Sequence, residues 1–313
     1  MSDFPLVTIV TPSYNQGRFL EATLLSVLDQ DYSNIEYLVV DGASIDGSVE
    51  IIRRYAERLT WWVSEKDSGQ SAAINKGFQR ARGEIIGWLN SDDLYQPGAV
   101  TAAVAALQSH PEATVVYGDA LSIDPDGKSF NVMHARQYTL KDLLAFNIIC
   151  QPAAFMRRSS LEQVNYLNPA YHLLMDNLLW MNMARIGPIV YIPQIWAAAR
   201  YHDQAKNRTR GAAYGQEARA LIGDLKSRPD FAQIIAEDEK RIMAGMNRFD
   251  AFYLTEAGQP FNALRAYGRA FRLHAPTAFG DWKHILLAFL SLLKLQKIRE
   301  VYDRIRTRHL NGT

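Results

Sequence analysis

The segment Asn90-Ser91-Asp92-Asp93 sets two adjacent carboxylates directly after the apolar run Glu84 to Leu89 (EIIGWL). Two like charges facing one crevice are costly to bury without a cation to neutralise them. Hard oxygen ligands suit Mg²⁺ or Mn²⁺, and Mg²⁺ commonly combines one or two carboxylates with the phosphates of a substrate. The plainer alternative is an Asp-Asp loop that caps the segment after it. Asp41 stands in a comparable place, between the run Ile35 to Val40 and Gly42. A carboxylate there can accept a hydrogen bond from an imide N–H or a ribose hydroxyl, or else serve as a helix N-cap or Asx-turn. No G-x-G-x-x-G follows a strand and no G-x-x-x-x-G-K-[ST] occurs. A nucleotide would therefore be held by scattered carboxylates and a metal rather than by a phosphate-cradling loop.

The elements that must position these groups alternate in type. Leu6 to Thr11 is a β-branched apolar run that predicts a strand buried on both faces. Phe19, Leu20, Thr23, Leu24, Val27 and Leu28 follow at helical spacing. Strands are predicted at Ile35 to Val40, Trp61 to Ser64 and Glu84 to Leu89, with helices at Ser48 to Arg58 and Gln70 to Ala81. This β-α alternation predicts an α/β fold, Rossmann-like, with a mostly parallel central sheet flanked by helices. Ligands of such sheets bind at the carboxyl ends of the strands, which here carry Ser13 to Asn15, Asp41, Asp67 and Asp92-Asp93. Further on come a helix from Pro97 to Ser109, a strand at Thr114 to Tyr117, and a hairpin through DPDG returning at Lys128 to Met133. Tyr171 to Ile186 reads as a helix and Ile189 to Arg200 as a strand pair broken at Pro193. From about Gly211 only helices are predicted, which divides the chain into residues 1–210 and an all-helical extension, 211–313.

Three segments, in order over about 200 residues, carry a family resemblance: TIVTPSYNQGRFLEATLLSVLDQDYSNIEYLVVDGASIDGS, EKDSGQSAAINKGFQRARGEIIGWLNSDD and YHLLMDNLLWMNMARIG. They resemble a family 2 glycosyltransferase of the GT-A fold. The resemblance implies a metal-dependent, inverting enzyme of hexosyltransferase type that uses a nucleotide-sugar donor, usually a uridine diphosphate sugar, with Mn²⁺ or Mg²⁺. Carried over by position, Pro12, Tyr14 and Asn15 meet the nucleoside and Asp41 the uracil imide. Gly69, Asn75 and Gly77 match the donor-binding helix, Asp92 and Asp93 the diphosphate and metal motif, and His202 a late histidine that reaches the metal or diphosphate. Asp176 matches the general base that deprotonates an acceptor hydroxyl; read without the resemblance, it is a solvated helix residue or a partner of Arg185. Trp180, on the same helix face, is either core or a sugar-stacking ring, and Asp119 and Gln151-Pro152 fall in contact regions of the family.

Departures are visible too. Asn90 stands where an aspartate is frequent, and Met175 where a glutamate often precedes the aspartate. Ile74 replaces a frequent arginine, leaving Lys76, Arg82 or the metal to supply positive charge near the diphosphate. The Q-x-x-R-W pattern of processive synthases is absent, which implies transfer of one sugar per encounter to a glycan or lipid-linked acceptor in cell-surface glycan synthesis. A sugar nucleotidyltransferase and a non-catalytic GT-A-fold scaffold are the alternatives. The first should show a Gly-rich basic loop after its first strand, which PSYNQGR is not, and the intact Asp41, Asp92, Asp93 and Asp176 argue against the second.

Thirty-four Lys and Arg against 33 Asp and Glu give a net charge of +1, which argues against a nucleic-acid partner. The sum hides an asymmetry: residues 261–313 hold ten basic residues and three acidic ones, a surplus of seven, so the first 260 carry a deficit of six. Within this tail the apolar stretch Ile285 to Leu295 is about half the length needed to span a bilayer. Flanked by Lys and Arg, it is expected either to lie at an anionic membrane interface through residues 280–313 or to pack on the catalytic domain or a partner. A single cysteine, Cys150, and no basic n-region before the first apolar run fit a cytoplasmic protein, at the inner membrane face if the tail binds lipid.

Overall fold

A computed structural model describes residues 4–293 of the chain. In chain order its elements are β1 (Val7–Ser13), α1 (Gly17–Leu28), β2 (Ile35–Asp41), α2 (Ser48–Arg54), β3 (Trp61–Ser64), α3 (Gln70–Arg80), β4 (Ile85–Trp88), β5 (Leu94–Tyr95) and α4 (Ala99–Ser109). There follow β6 (Val115–Ile123), β7 (Ser129–Met133), α5 (Leu140–Leu144), β8 (Ala154–Arg157), α6 (Arg158–Gln163), α7 (Met175–Ile186) and β9 (Ile189–Arg200). The last are α8 (Lys206–Thr209), α9 (Gly211–Ser227), α10 (Pro229–Glu237), α11 (Glu239–Glu256), α12 (Pro260–Leu273), α13 (Ala275–Phe279) and α14 (Trp282–Leu292).

Two compact units emerge: Met1–Gln137 with Ile149–Arg200, and Tyr138–Ile148 with Tyr201 onward. The texture change read at about residue 211 thus lies inside the second unit, which also takes in 138–148. Those residues carry α5, too short to announce itself as part of a distant helical body.

The first unit is built on one sheet of order β3-β2-β1-β4-β8-β6-β9-β5, with β7 on β6. Strands β3, β2, β1 and β4 are mutually parallel, as the β-α alternation requires, and β8 enters antiparallel to both β4 and β6. The sheet is therefore mixed, parallel in the half that bears the candidate site. β1 is buried throughout and β2 at all but its first residue, the pattern of strands covered on both faces. From α1, Phe19, Leu20, Thr23, Leu24 and Val27 turn inward, so the helical spacing in the sequence marks the buried face.

The expected break at Pro193 takes a different form. β9 is one strand, parallel to β6, whose register slips between Tyr117↔Tyr191 and Asp119↔Ile195 and again before Ala120↔Ala197. Proline has no N–H for the ladder, so the extra residues bulge there instead of ending the strand. The bulge presses on β6: a Cβ on Gly118 would come within 2.5 Å of the Gln194 carbonyl and 2.9 Å of the Trp196 ring.

At the amino ends of the strands, Glu36 is 3% exposed and accepts Thr8 Oγ1 (2.6 Å), the Arg82 N–H (2.7 Å) and Arg82 Nε (2.5 Å). These bonds tie β1 and β2 to the chain entering β4 and satisfy a charge that burial would otherwise penalise.

In the second unit α11 is central. Tyr214 of α9 stacks on its Tyr253 with centroids 3.9 Å apart. Asp142 of α5 pairs with Arg241, and Gly245 leaves room for the Ala145 carbonyl, which a Cβ would approach to 2.1 Å. No described helix is long and apolar enough to cross a membrane.

Close packing of α3 on β1 gives a first prediction. A Cβ on Gly77 would lie 2.3 Å from Val10 Cγ1. Gly77→Ala is therefore expected to destabilise by about 1–3 kcal/mol through overpacking, against the gain a helical Gly→Ala change ordinarily gives. Chemical denaturation of both proteins checks this.

Candidate active site

The carboxyl ends of β1 and β2 face each other in register, Ser13 opposite Asp41, and the loops that follow are stitched together. The Gly42 N–H donates to the Ser13 carbonyl (2.8 Å), the Asn15 N–H to Ser44 Oγ (2.8 Å) and the Ile45 N–H to Asn15 Oδ1 (2.9 Å). Asn15 adopts φ 51°, a left-handed conformation that asparagine tolerates better than most residues. Its expected nucleoside contact is accompanied by this structural duty. Asp41 is fully buried and accepts the Ser44 N–H (2.9 Å), Ser44 Oγ (2.5 Å) and Ser64 Oγ (2.7 Å). Three of its four acceptor positions are thus filled from within the fold. Pro12 is buried in β1, while Tyr14 is 64% exposed, its ring beside Gly42.

Two buried polar atoms at this end of the sheet have no hydrogen-bond partner among the described residues: Ser13 Oγ and Asp67 Oδ2. The other oxygen of Asp67 accepts Lys76 Nζ at 2.8 Å, and Lys76 also reaches Glu65 at 2.7 Å. The Asp67 bond, followed by the Glu65 bond, raises the Lys76 pKa and keeps the amine protonated. Lys76 is thus already paired with carboxylates. Arg82 is excluded from the diphosphate more firmly, because it is bound to Glu36 at the opposite ends of the strands.

After β4, Asn90 is a hub. Its Oδ1 accepts Trp88 Nε1 (2.9 Å) and Gln70 Nε2 (2.9 Å), and its amide donates to Gln151 Oε1 (3.0 Å) and Asp93 Oδ2 (3.4 Å). Gln151 in turn donates to the Trp88 carbonyl at 2.6 Å. A neutral amide can serve donors and acceptors together, which the aspartate more frequent in the resembled family could not do at neutral pH.

Asp93 is 7% exposed; Oδ1 accepts the Arg200 backbone N–H at 2.9 Å, and Thr23 Oγ1 donates to its carbonyl at 2.8 Å. Burial first, and the neighbouring charge of Asp92 second, push its carboxyl well above the usual carboxylate range. The Arg200 guanidinium is turned to carbonyls, those of Asp92 (2.9 Å), Asp124 (3.1 Å) and Pro125 (3.0 Å), and lies 5.0 Å from the Phe19 ring centroid. The Asp93 carboxylate therefore receives hydrogen bonds from the amides of Arg200 and Asn90, and its ionised form is incompletely compensated.

Helix α3 begins beside this hub. Gly69, at φ +128°, forms its N-cap in a conformation L side chains rarely adopt. Ile74 is fully buried, so an arginine at that position would have no solvent. Asn75 pairs with the main chain of Leu167 through both ends of its amide, Nδ2 to the carbonyl at 2.8 Å and Oδ1 from the N–H at 3.0 Å. Ser71 Oγ reaches Met175 Sδ at 3.1 Å. These bonds fix the segment leading into α7, which starts at Met175 rather than Tyr171 and so places Asp176 in its first turn. An anionic side chain is favoured there by the helix dipole. Desolvation, and behind it the charges of Asp93 and Asp176, raise the thiol of the half-buried Cys150, so the two carboxylates lie within electrostatic reach of one side chain.

Other residues singled out in the sequence have structural duties. Trp180 is 1% exposed and belongs to the core. Asp119 accepts His134 Nδ1 (2.8 Å), the Ala135 N–H (2.8 Å) and the Tyr191 hydroxyl (2.9 Å), locking β6 to the hairpin and β9. His202 is buried, in the second unit two residues past β9. Among the described residues no three acidic, histidine or cysteine side chains converge as a cation site. The pair Asp92-Asp93 fits a cation that takes its remaining ligands from phosphate and water. Arg200 was missed by sequence reasoning; its place at the carboxyl end of a strand was the available signal.

Residues 8–164 match the family described as glycosyl transferase family 2. The chain belongs to this family. Glycosyltransferase TuaG of Bacillus subtilis, named for teichuronic acid biosynthesis, is 29% identical over 191 residues, 60% of this chain and 75% of that protein. The chain spans only about a third of the first Rickettsia relatives it matches, uncharacterized glycosyltransferases, 35% of the Rickettsia bellii protein and 34% of that from Rickettsia conorii. Residues 1–349 of Staphylococcus aureus TarS, in complex with UDP-GlcNAc, superpose with a TM-score of 0.60 at 14% identity, over 89% of this chain and 92% of that one. The mannosyltransferase PcManGT of Pyrobaculum calidifontis, in complex with GDP-Man and Mn²⁺, gives 0.60 at 22% identity, over 93% and 86%. These likenesses show the GT-A fold.

The raised carboxyl of Asp93 has a thermodynamic signature. A carboxyl with a folded pKa above its unfolded value stabilises the fold while protonated and loses that contribution as pH rises through the ordinary carboxylate range toward the raised value. Asp93→Asn is expected to be more heat-stable than the parent at neutral pH without divalent cations, the difference vanishing below the ordinary carboxylate range. Melting curves from pH 3 to 8 in chelator test this.

Proposed function

We propose that the chain transfers one sugar per encounter, with inversion, from a nucleoside-diphosphate sugar to a glycan or lipid-linked acceptor in cell-surface glycan synthesis. The observation that carries the reading is the buried carboxyl of Asp93 beside Asp92, served by amide donors at the carboxyl end of a parallel strand. Supporting it are the orphaned Ser13 Oγ and Asp67 Oδ2 in the same half of the sheet, and the nucleotide sugars held by TarS and PcManGT. TuaG, by its name, supports the surface-glycan context.

A divalent cation, Mn²⁺ or Mg²⁺, would be held by Asp93, with Asp92 beside it in the donor-binding set, and would supply positive charge to the leaving diphosphate. His202 is proposed for the same ion on the resemblance alone. Pro12, Tyr14, Asn15 and Asp41 shape the nucleoside end, with uridine the proposed base. Gly69 opens the N-terminus of α3, the end of a helix that favours anions. Asn75 positions the segment that delivers Asp176. Asp176 takes the proton of the acceptor hydroxyl as that oxygen bonds the anomeric carbon and the bond to the diphosphate breaks, a role that typically contributes about 10²- to 10⁴-fold.

A panel of uridine and guanosine diphosphate sugars, assayed with Mn²⁺ for hydrolysis and binding, tests the reading; no binding and no turnover with any of them would refute it. Asp93→Ala is expected to abolish metal-dependent donor binding. Asp176→Asn should retain donor binding and lose transfer by at least 10²-fold; near-normal turnover would remove Asp176 from the role.

Peripheral membrane contact, at an inner membrane face, completes the proposal. Its support is the exposed stripe Trp282, Leu286, Phe289 and Leu293 along α14, with Phe279 before it. Lys283 borders the stripe, whereas Lys294, Lys297, Arg299, Arg304, Arg306 and Arg308 lie outside the described residues. The double substitution Trp282→Ser, Phe289→Ser is expected to reduce sedimentation with anionic liposomes several-fold; unchanged sedimentation would refute the contact.

A further inference from the structure

The second unit contains a cavity of about 500 Å³ between α9, α11 and α12. Its chemistry comes from Arg219, Arg265, Arg269, Asp250, Asn247 and Gln216. Asp250 is the anchor. It is 4% exposed and lies against Gly215, where a Cβ would come within 1.8 Å of Oδ1, so only glycine lets α9 meet α11 at that point. Arg219 Nη1 donates to Asp250 Oδ2 at 2.8 Å, and Arg269 Nη2 stands 3.7 Å from the same oxygen. Arg269 Nε donates to Asn247 Oδ1 at 2.8 Å, and Asn247 donates to the Met243 carbonyl at 2.7 Å. The guanidinium of Arg265 lies 5.8 Å from the Phe261 ring centroid and makes no ion pair among the described residues.

An ion pair that serves only to join helices needs one arginine per carboxylate. Here three guanidiniums line one concave space with a single buried carboxylate, which orients two of them and leaves positive charge in excess. Guanidinium forks match carboxylate and phosphate oxygens in pairs, and the surrounding side-chain amides offer donor and acceptor together, as sugar hydroxyls do. The volume lies within the range of small-molecule sites.

We propose that this cavity binds the oxyanion of an acidic saccharide, a phosphate or carboxylate borne on a sugar. The choice of a saccharide as carrier rests on the glycosyltransferase function; the oxyanion preference rests on the arginines alone. Arg265 is the discriminating residue, since it is exposed and supports neither Asp250 nor Asn247.

The test titrates the full chain with glucose 1-phosphate, glucuronate and glucose at low salt, by calorimetry. Binding of at least one acidic sugar is expected, with glucose bound at least tenfold more weakly, and the stronger of the two identifies the oxyanion. Arg265→Ala should weaken that binding about tenfold, Arg265→Lys less, because the lysine keeps the charge and loses the fork. Unchanged melting of Arg265→Ala would exclude misfolding as the cause. Equal binding of glucose, or equal affinity in the parent and Arg265→Ala, would overturn the proposal. Donor hydrolysis on the same samples reports separately on the carboxylate crevice, so failure of the donor chemistry and failure of this site are told apart.

Discussion

A carboxyl kept out of water beside a second carboxylate is the constraint around which the first unit is arranged. The energy of placing Asp93 next to Asp92 falls only if something supplies positive charge or a proton. The protein supplies neither in full. Asn90 and the Arg200 main chain offer amides, and the Arg200 guanidinium is directed to carbonyl oxygens. Deficient compensation of this kind is an expense for the fold by itself, and it is what the proposed cation, arriving with a diphosphate, would relieve.

Around this pair the supports are rigid and mostly neutral. Asn90 joins Trp88, Gln70, Gln151 and Asp93 into one network, so the end of β4 cannot shift without disturbing α3 and the turn before β8. Helix α3 rests directly on β1 at Gly77, and through Asn75 and Ser71 it carries the approach to α7. One helix thereby touches both the sheet that bears Asp92-Asp93 and the segment that leads to Asp176. The loops after β1 and β2 are tied by Ser13, Asn15, Asp41 and Ser44 in the same way, leaving Tyr14 outward.

Much of this was legible in the chain itself. β-branched runs, turn residues and the placement of Asp41 and Asp92-Asp93 after them mark both the sheet and the edge that carries the candidate site, because burial and chain direction act locally. What escaped depends on contacts between residues far apart in sequence. Arg200 lies 107 positions beyond Asp93, and Asn75 meets Leu167 across 92. Arg82 looked available to a phosphate because its partner, Glu36, is hidden near the start of a strand 46 residues away. The discontinuous second unit is a similar case: nothing in TLKDLLAFN says that Asp142 belongs with Arg241, 99 residues later.

That discontinuity limits how the molecule can be dissected. The chain leaves the sheet at Tyr138, returns at Ile149, and leaves again after Arg200. A protein shortened at residue 200 would keep Leu143, Leu144 and Phe146, each buried in the intact chain, while discarding α11, whose Gly245 and Arg241 receive that segment. The stranded piece would present a greasy, sticky loop in the middle of the remaining chain. Separating the two bodies requires three cuts and a graft, and any lineage that exchanged the helical body for another would have had to exchange this inserted segment with it.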